Sequence, residues 1–183
     1  MKIKLVNLKK YGFILDNRKR RNYTKAKNMF ARESVAKALV KSKESLPKKY
    51  NFKILDAKRS IADQKRIIDI CAKDFKNRDA ENWKKMLIKF TGGYQVLKQK
   101  TPMNTHRHGG AVDLTIIDEK GKELDMGGEK FDERDSLNYY ENKKSLTKRE
   151  KKIRDNRRLL KKVMKKAGFK PYFPEWTHWG YLK

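Results

Sequence analysis

Residues 104–118 read Asn-Thr-His-Arg-His-Gly-Gly-Ala-Val-Asp-Leu-Thr-Ile-Ile-Asp, and the way this stretch turns decides the fold. Its first half is turn-forming and carries side chains able to bind a metal. Its second half, with Val112, Leu114, Ile116 and Ile117, has the composition of a buried strand. Gly109 and Gly110 stand between the halves and let the backbone fold back sharply. His106 and Asp113 lie seven residues apart across that turn, so a loop and a strand can each bring one ligand to a shared ion. That is half a site, because catalytic zinc typically takes three protein ligands and keeps one position for water.

Outward from this stretch, the other half lies near the end of the chain, in Pro-Glu-Trp-Thr-His-Trp-Gly-Tyr, residues 174–181. Glu175 and His178 are three residues apart, so a turn or a bulged strand can aim both at one centre. His178 is then the third ligand, and Glu175 an acid/base beside a metal-bound water. A single His and Asp in a loop is usually an ordinary polar turn, and an isolated E-x-x-H pair is hardly more specific. His108 competes with His106 as the ligand, and chemistry alone does not choose between them.

Length and composition bound the rest. A chain of 183 residues reads as one domain over 1–183, with a strongly basic N-terminal segment at 1–28. The formal net charge of +27, from 49 basic and 22 acidic residues, raises the prospect of an anionic partner. Lysine is nevertheless absent from 101–119 and 171–182, the two segments with candidate chemistry, and is spread along nearly all the others. That is the distribution of a solvated surface. It implies no specific nucleic-acid partner and at most weak contact with anionic cell-wall polymers. Cys71 is the only cysteine, so an intrachain disulfide is excluded, and its apolar neighbours Ile68, Ile70 and Ala72 mark a buried thiol. No run approaches the ~18 apolar residues of a membrane span, and the N-terminus lacks the apolar core of a signal peptide. The expected location is cytoplasmic.

Periodicity supplies the elements. A short strand is expected at Tyr11–Leu15, and from Ala31 the pattern turns helical, with Val35, Leu39 and Leu46 on one stripe and Pro47 at its end. Residues 52–56 alternate as a strand, and Ser60 with Asp63 forms a capping box that opens a helix carrying Ile67, Ile68 and Cys71 on one face. A helix over 80–91 carries Trp83, Met86, Leu87 and Phe90, read as core, and breaks at Gly92-Gly93. The clearest helix covers 150–167, with Ile153, Leu160, Val163 and Met164 inward and Gly168 as its stop. The strands 52–56, 111–118 and 177–182 then make a small, mainly antiparallel sheet.

The order H-x6-D followed by E-x-x-H resembles the zinc D-alanyl-D-alanine dipeptidases of the vancomycin-resistance type, relatives of the zinc DD-carboxypeptidases. The S-x-H-x-x-G-x-A-x-D motif of that family is met at His106, Gly109, Ala111 and Asp113, with Asn104 in place of the serine. The E-W-W-H motif is met at Glu175, Trp176 and His178, with Thr177 in place of the second tryptophan. The strand ending in Asp-x-Tyr-Arg-Pro has a counterpart at 56–60, where Arg59 is kept and Lys58 and Ser60 differ. Asn22-Tyr23-Thr24 is a faint echo of an Asn-Phe-Thr segment near the substrate.

The resemblance covers about residues 30–182 and is strongest from 104 onward. It implies an α+β fold of the zinc DD-peptidase kind and one zinc per chain, held by His106, Asp113 and His178, which selects His106 over His108. It implies Glu175 as general base, Arg59 as the group that polarises the scissile carbonyl, and Asp132 as the carboxylate gripping the substrate ammonium. Asn104 would meet the substrate carboxylate. The reaction implied is hydrolysis of D-Ala-D-Ala to two D-alanines. A peptidoglycan carboxypeptidase or endopeptidase and a basic nucleic-acid-binding protein are the alternatives.

Overall fold

A computed structural model describes residues 3–16, 29–100, 104–128 and 131–182. In chain order its elements are β1 (Leu5–Asn7), β2 (Ile14–Leu15), β3 (Phe30–Arg32), α1 (Glu33–Glu44), β4 (Tyr50–Asp56), α2 (Ile61–Arg78) and α3 (Trp83–Thr91). They continue with β5 (Ala111–Asp118), α4 (Tyr139–Asn142), α5 (Lys148–Lys166), β6 (Lys170–Pro171) and β7 (His178–Gly180). Five strands form the main sheet in the order β2-β4-β5-β7-β6, and β1 pairs separately with β3. Only the β2–β4 pair is parallel; the other pairings of the sheet are antiparallel. The fold is α+β, a small and mainly antiparallel sheet flanked by helices, as the sequence implies.

β5 is the central strand, and seven of its eight residues are buried. A strand covered on both faces needs apolar side chains at successive positions, which explains the unbroken Ala111–Ile117 run apart from Asp113 and Thr115. The larger core lies about this sheet, where α1 and α5 supply Leu39 and Leu160 against Phe52, Leu114 and Trp179. A smaller core, with Ile68, Phe75, Leu87 and Phe90, joins α2 to α3. Register then positions the polar residues. Asp113 faces Asp56 on β4, across a bulge between Ile54 and Asp56, and faces His178 on β7. Three chemistry-bearing residues therefore stand in one row across the sheet.

The helices depart from expectation at their ends. The Ser60–Asp63 cap opens α2 as anticipated, with the Ser60 side chain accepting from the Asp63 backbone N–H. The helical pattern expected from Ala31 starts only at Glu33, because residues 30–32 pair with β1 and the Arg32 N–H donates to the Gly109 carbonyl. The strand expected at Tyr11–Leu15 shrinks to Ile14–Leu15, since Leu8–Tyr11 coils into a 3-10 turn closed by Gly12 at φ 76°. α3 begins at Trp83 rather than at 80, after Asp79 has taken the N–H groups of Glu81 and Asn82 on its side chain. α5 begins at Lys148, capped by Thr147. Among the described residues no helix is long and apolar enough to cross a membrane. Asn22-Tyr23-Thr24 and half of the basic N-terminal segment lie outside the described residues.

Candidate metal centre

His106 sits in a 3-10 turn over His106–His108 that Gly109 closes with φ 67°. A Cβ at Gly109 would lie 2.9 Å from Leu5 Cδ2 and 3.4 Å from the Arg32 nitrogen, so both conformation and space require glycine here. The turn delivers His106 Nε2 to 3.1 Å from Asp113 Oδ1 and 3.1 Å from His178 Nδ1. His178 Nδ1 is in turn 3.2 Å from Asp113 Oδ1. The other nitrogen of His106 is 2.7 Å from the Ala57 carbonyl. It must donate there, which leaves Nε2 as the lone-pair nitrogen facing the cluster. His108 does not join: its Nδ1 lies 3.0 Å from Thr105 Oγ1. The structure thus separates the two histidines that chemistry alone left equivalent.

The donor set suits a metal ion. Zinc bonds of ~2.0–2.2 Å in a tetrahedron place ligand atoms roughly 3.4 Å apart, close to the spacing of these three atoms. Two imidazoles and a carboxylate are an established catalytic zinc composition, and three protein ligands leave a fourth position open. Burial, foremost, pushes the His178 imidazole below its usual pKa, and the neighbouring His106 adds to this against the opposing pull of Asp113. The neutral form is the one that ligates.

A second layer of contacts holds the first. Asp113 keeps Oδ1 toward the histidines while Oδ2 accepts from Arg59 at 3.2 Å. Arg59 also donates Nε to Asp56 Oδ2 at 2.8 Å and Nη1 to Gln64 Oε1 at 3.3 Å. Its backbone N–H bonds the His106 carbonyl. Gln64 extends the network to α3 through the Thr91 carbonyl. Asp56 opens the 56–60 motif that keeps Arg59, and its i,i+3 spacing to Arg59 fits the pair; Ala57 and Gln64 carry no such signal, because their parts depend on contacts with His106 and α3.

Above the cluster opens a cavity of about 350 Å³, lined in part by Arg59, Asn104, Tyr172, Glu175 and His178. Glu175 lies in a tight turn, its N–H donating to the Tyr172 carbonyl and its own carbonyl accepting from the His178 N–H. The three-residue spacing therefore does bring Glu175 and His178 to one cavity. Trp176 anchors that turn by donating Nε1 to the Gly128 carbonyl and its backbone N–H to the Asp135 carbonyl. Asn104 packs over β7, where a Cβ at Gly180 would fall 2.6 Å from its Nδ2. Cys71 lines the cavity as a buried thiol pushed up to about 11, chiefly by burial, and so protonated. Phe90, read as core, packs against Phe75 and also forms cavity wall.

Asp132 is not brought to this cavity. Both its oxygens bind the Arg134 side chain, and it caps the 3-10 turn Glu133–Asp135. A carboxylate next to an arginine at the head of a turn finds its partners locally, and the pairing with Arg134, foremost, holds its pKa below the usual range. Lys89, Arg107 and Lys170 do reach the cavity wall, although sequence position had separated the lysines from the chemistry.

The profile of the D-Ala-D-Ala dipeptidase family matches residues 7–182. The chain belongs to this peptidase family. A D-alanyl-D-alanine dipeptidase from Synechocystis sp. is 35% identical to it over 79 residues, which is 40% of this chain and 32% of that protein. The aligned stretch thus spans about a third of the relative. The family match runs from the end of β1 past β7, so it takes in every element that contributes to the three-residue cluster.

Proposed function

We propose that the protein is a zinc metallopeptidase that hydrolyses the dipeptide D-Ala-D-Ala to two D-alanines, with one zinc per chain. The observation that carries this reading is the convergence of His106 Nε2, Asp113 Oδ1 and His178 Nδ1 within 3.1–3.2 Å of one another beside Glu175. A zinc ion held by these three would act as a Lewis acid and would lower the pKa of a coordinated water toward about 7. Glu175, on the cavity side of His178, takes the proton from the attacking water and passes it to the leaving amine. Arg59, held by Asp56 and Asp113, lines the cavity and stabilises charge that develops on the scissile carbonyl oxygen. Asn104 offers an amide to the substrate carboxylate.

The test is release of free D-alanine from D-Ala-D-Ala, lost on chelation and restored by Zn²⁺. Failure of protein carrying one zinc per chain to release D-alanine would reject the dipeptidase reading.

One observation favours a second reading, a carboxypeptidase or endopeptidase acting on longer wall peptides. Among the described residues that line the cavity, Glu175 is the single carboxylate, and Asp132 is engaged by Arg134. A free substrate ammonium then lacks the partner that the family pattern supplies. The comparison of D-Ala-D-Ala with acetyl-D-Ala-D-Ala separates the readings. Faster cleavage of the acetylated peptide assigns the enzyme to the longer substrates, and slower cleavage assigns it to the free dipeptide.

A further inference from the structure

His178 is enclosed by two aromatic neighbours. The His106 ring meets it edge-on at 4.7 Å and 76°, and the Tyr172 ring meets it at 5.7 Å and 72°. Tyr172 is the residue just after β6 and is bound to the same tight turn through its backbone. Its N–H donates to the His178 carbonyl at 3.1 Å, and its carbonyl accepts from the Glu175 N–H at 3.0 Å. Its hydroxyl reaches across the cavity wall and donates to the Lys89 carbonyl at 2.5 Å. Lys89 lies in the last turn of α3, where carbonyls have no partner within the helix. One side chain therefore ties α3, on one side of the cavity, to the hairpin of β6 and β7 on the other.

The geometry points to Tyr172 as a positioning residue for the metal centre: its ring and backbone fix the His178 imidazole so that Nδ1 faces Asp113 and His106. Imidazole has two nitrogens, and rotation about the Cβ–Cγ bond by about half a turn would take Nδ1 out of the cluster. The His178 ring lies on a cavity wall, so packing from its protein neighbours has to oppose that rotation. His106 opposes it from one direction and Tyr172 from another. The flat ring does so by its bulk against the imidazole, with its backbone held by the same turn.

This inference rests on the proposed metal site, and its test reads metal affinity rather than turnover. Zn²⁺ affinity is measured by competition with a chromophoric chelator for wild type, Tyr172→Phe, Tyr172→Leu and Tyr172→Ala. Circular dichroism and thermal unfolding of the metal-free proteins confirm folding. Loss of an orienting neighbour of a ligand histidine typically weakens metal binding by about 10–100-fold. That loss is expected in Leu and Ala, while Phe, which keeps the ring, stays within a few-fold of wild type. If Ala does not fold, Leu gives the same reading, since it keeps apolar bulk and loses the flat ring. Wild-type Zn²⁺ affinity in the folded Leu or Ala variant would overturn the positioning role and leave the metal site standing. Equal loss in Phe and Ala would place the effect in the hydroxyl and overturn the role of the ring. Absence of stoichiometric Zn²⁺ binding by the wild type would instead remove the proposed function itself.

Discussion

The two oxygens of Asp113 serve different partners, Oδ1 the two histidines and Oδ2 the Arg59 guanidinium. Arg59 is 9% exposed and ion-paired to two buried carboxylates, Asp56 and Asp113. Arg59→Ala would remove the shared cation from both charges, and breaking a buried pair typically costs about 3–5 kcal/mol. The metal-free variant should therefore unfold at clearly lower urea concentration, and its turnover, once zinc-loaded, should fall by roughly 10²–10³. An unchanged urea midpoint would show that the network contributes no stability. Glu175 behaves differently, because it faces the cavity rather than the core. Glu175→Ala should leave fold and zinc content as they are while kcat drops by about 10²–10⁴; reduced zinc content would make it a ligand instead. At this scale the spacings pointed to a loop, a strand and a terminal turn meeting at one place, and the structure does bring His106, Asp113 and His178 together with Glu175 at the adjoining cavity. The sequence could not separate His106 from His108 by chemistry, nor foresee that Asp132 would be taken by Arg134. Both outcomes depend on which neighbours the chain brings within about 3 Å.

Helix interiors were legible because an apolar stripe repeats over several turns, and their ends were less so because caps depend on single side chains. α5 illustrates this. Its apolar face was visible from Ile153 onward, yet its start is set by a reciprocal box in which Glu150 N–H donates to Thr147 Oγ1 and Thr147 N–H to Glu150 Oε2. Lys143 adds a bond of 2.5 Å to Glu150 Oε1. These partners, Lys143 first, depress the Glu150 carboxyl from an ordinary 4.5 to about 2. A depressed carboxyl contributes stability that is present above its unfolded pKa and is lost as pH falls through its folded one. The Tm of wild type should exceed that of Glu150→Gln near neutrality, and the gap should shrink below pH 4.5 and disappear only below about 2. Its amplitude should be modest, since the pair is solvent-exposed. A gap independent of pH would contradict an ionised cap. The strands β1 and β3 were not legible at all. Three residues carry too little alternation, and what holds them is pairing with each other and with the Gly109 carbonyl.

The chain carries a formal net charge of +27, and folding changes how part of that charge bears on the cavity. Along the chain lysines avoid the candidate motifs, which suggested a bystander surface. In space Lys89 and Lys170, with Arg107, come to the cavity wall from α3, β6 and the turn at His106. Sequence separation could not reveal this, because the wall is assembled from segments that are remote in the chain. A cationic cleft in a cationic molecule raises the local concentration of anions and speeds their encounter. The free dipeptide is a zwitterion with no net charge, whereas acetyl-D-Ala-D-Ala carries a net negative charge. Ionic strength therefore distinguishes steering from simple solvation. Between about 0.01 M and 1 M salt the screening length falls from about 30 Å to about 3 Å. If the surface steers substrate, kcat/KM for the acetylated peptide should decline across that range, while kcat/KM for D-Ala-D-Ala stays nearly flat. Lys89→Gln combined with Lys170→Gln should flatten the acetylated curve. Parallel salt curves for the two peptides would return the lysines to the role of a solvated face.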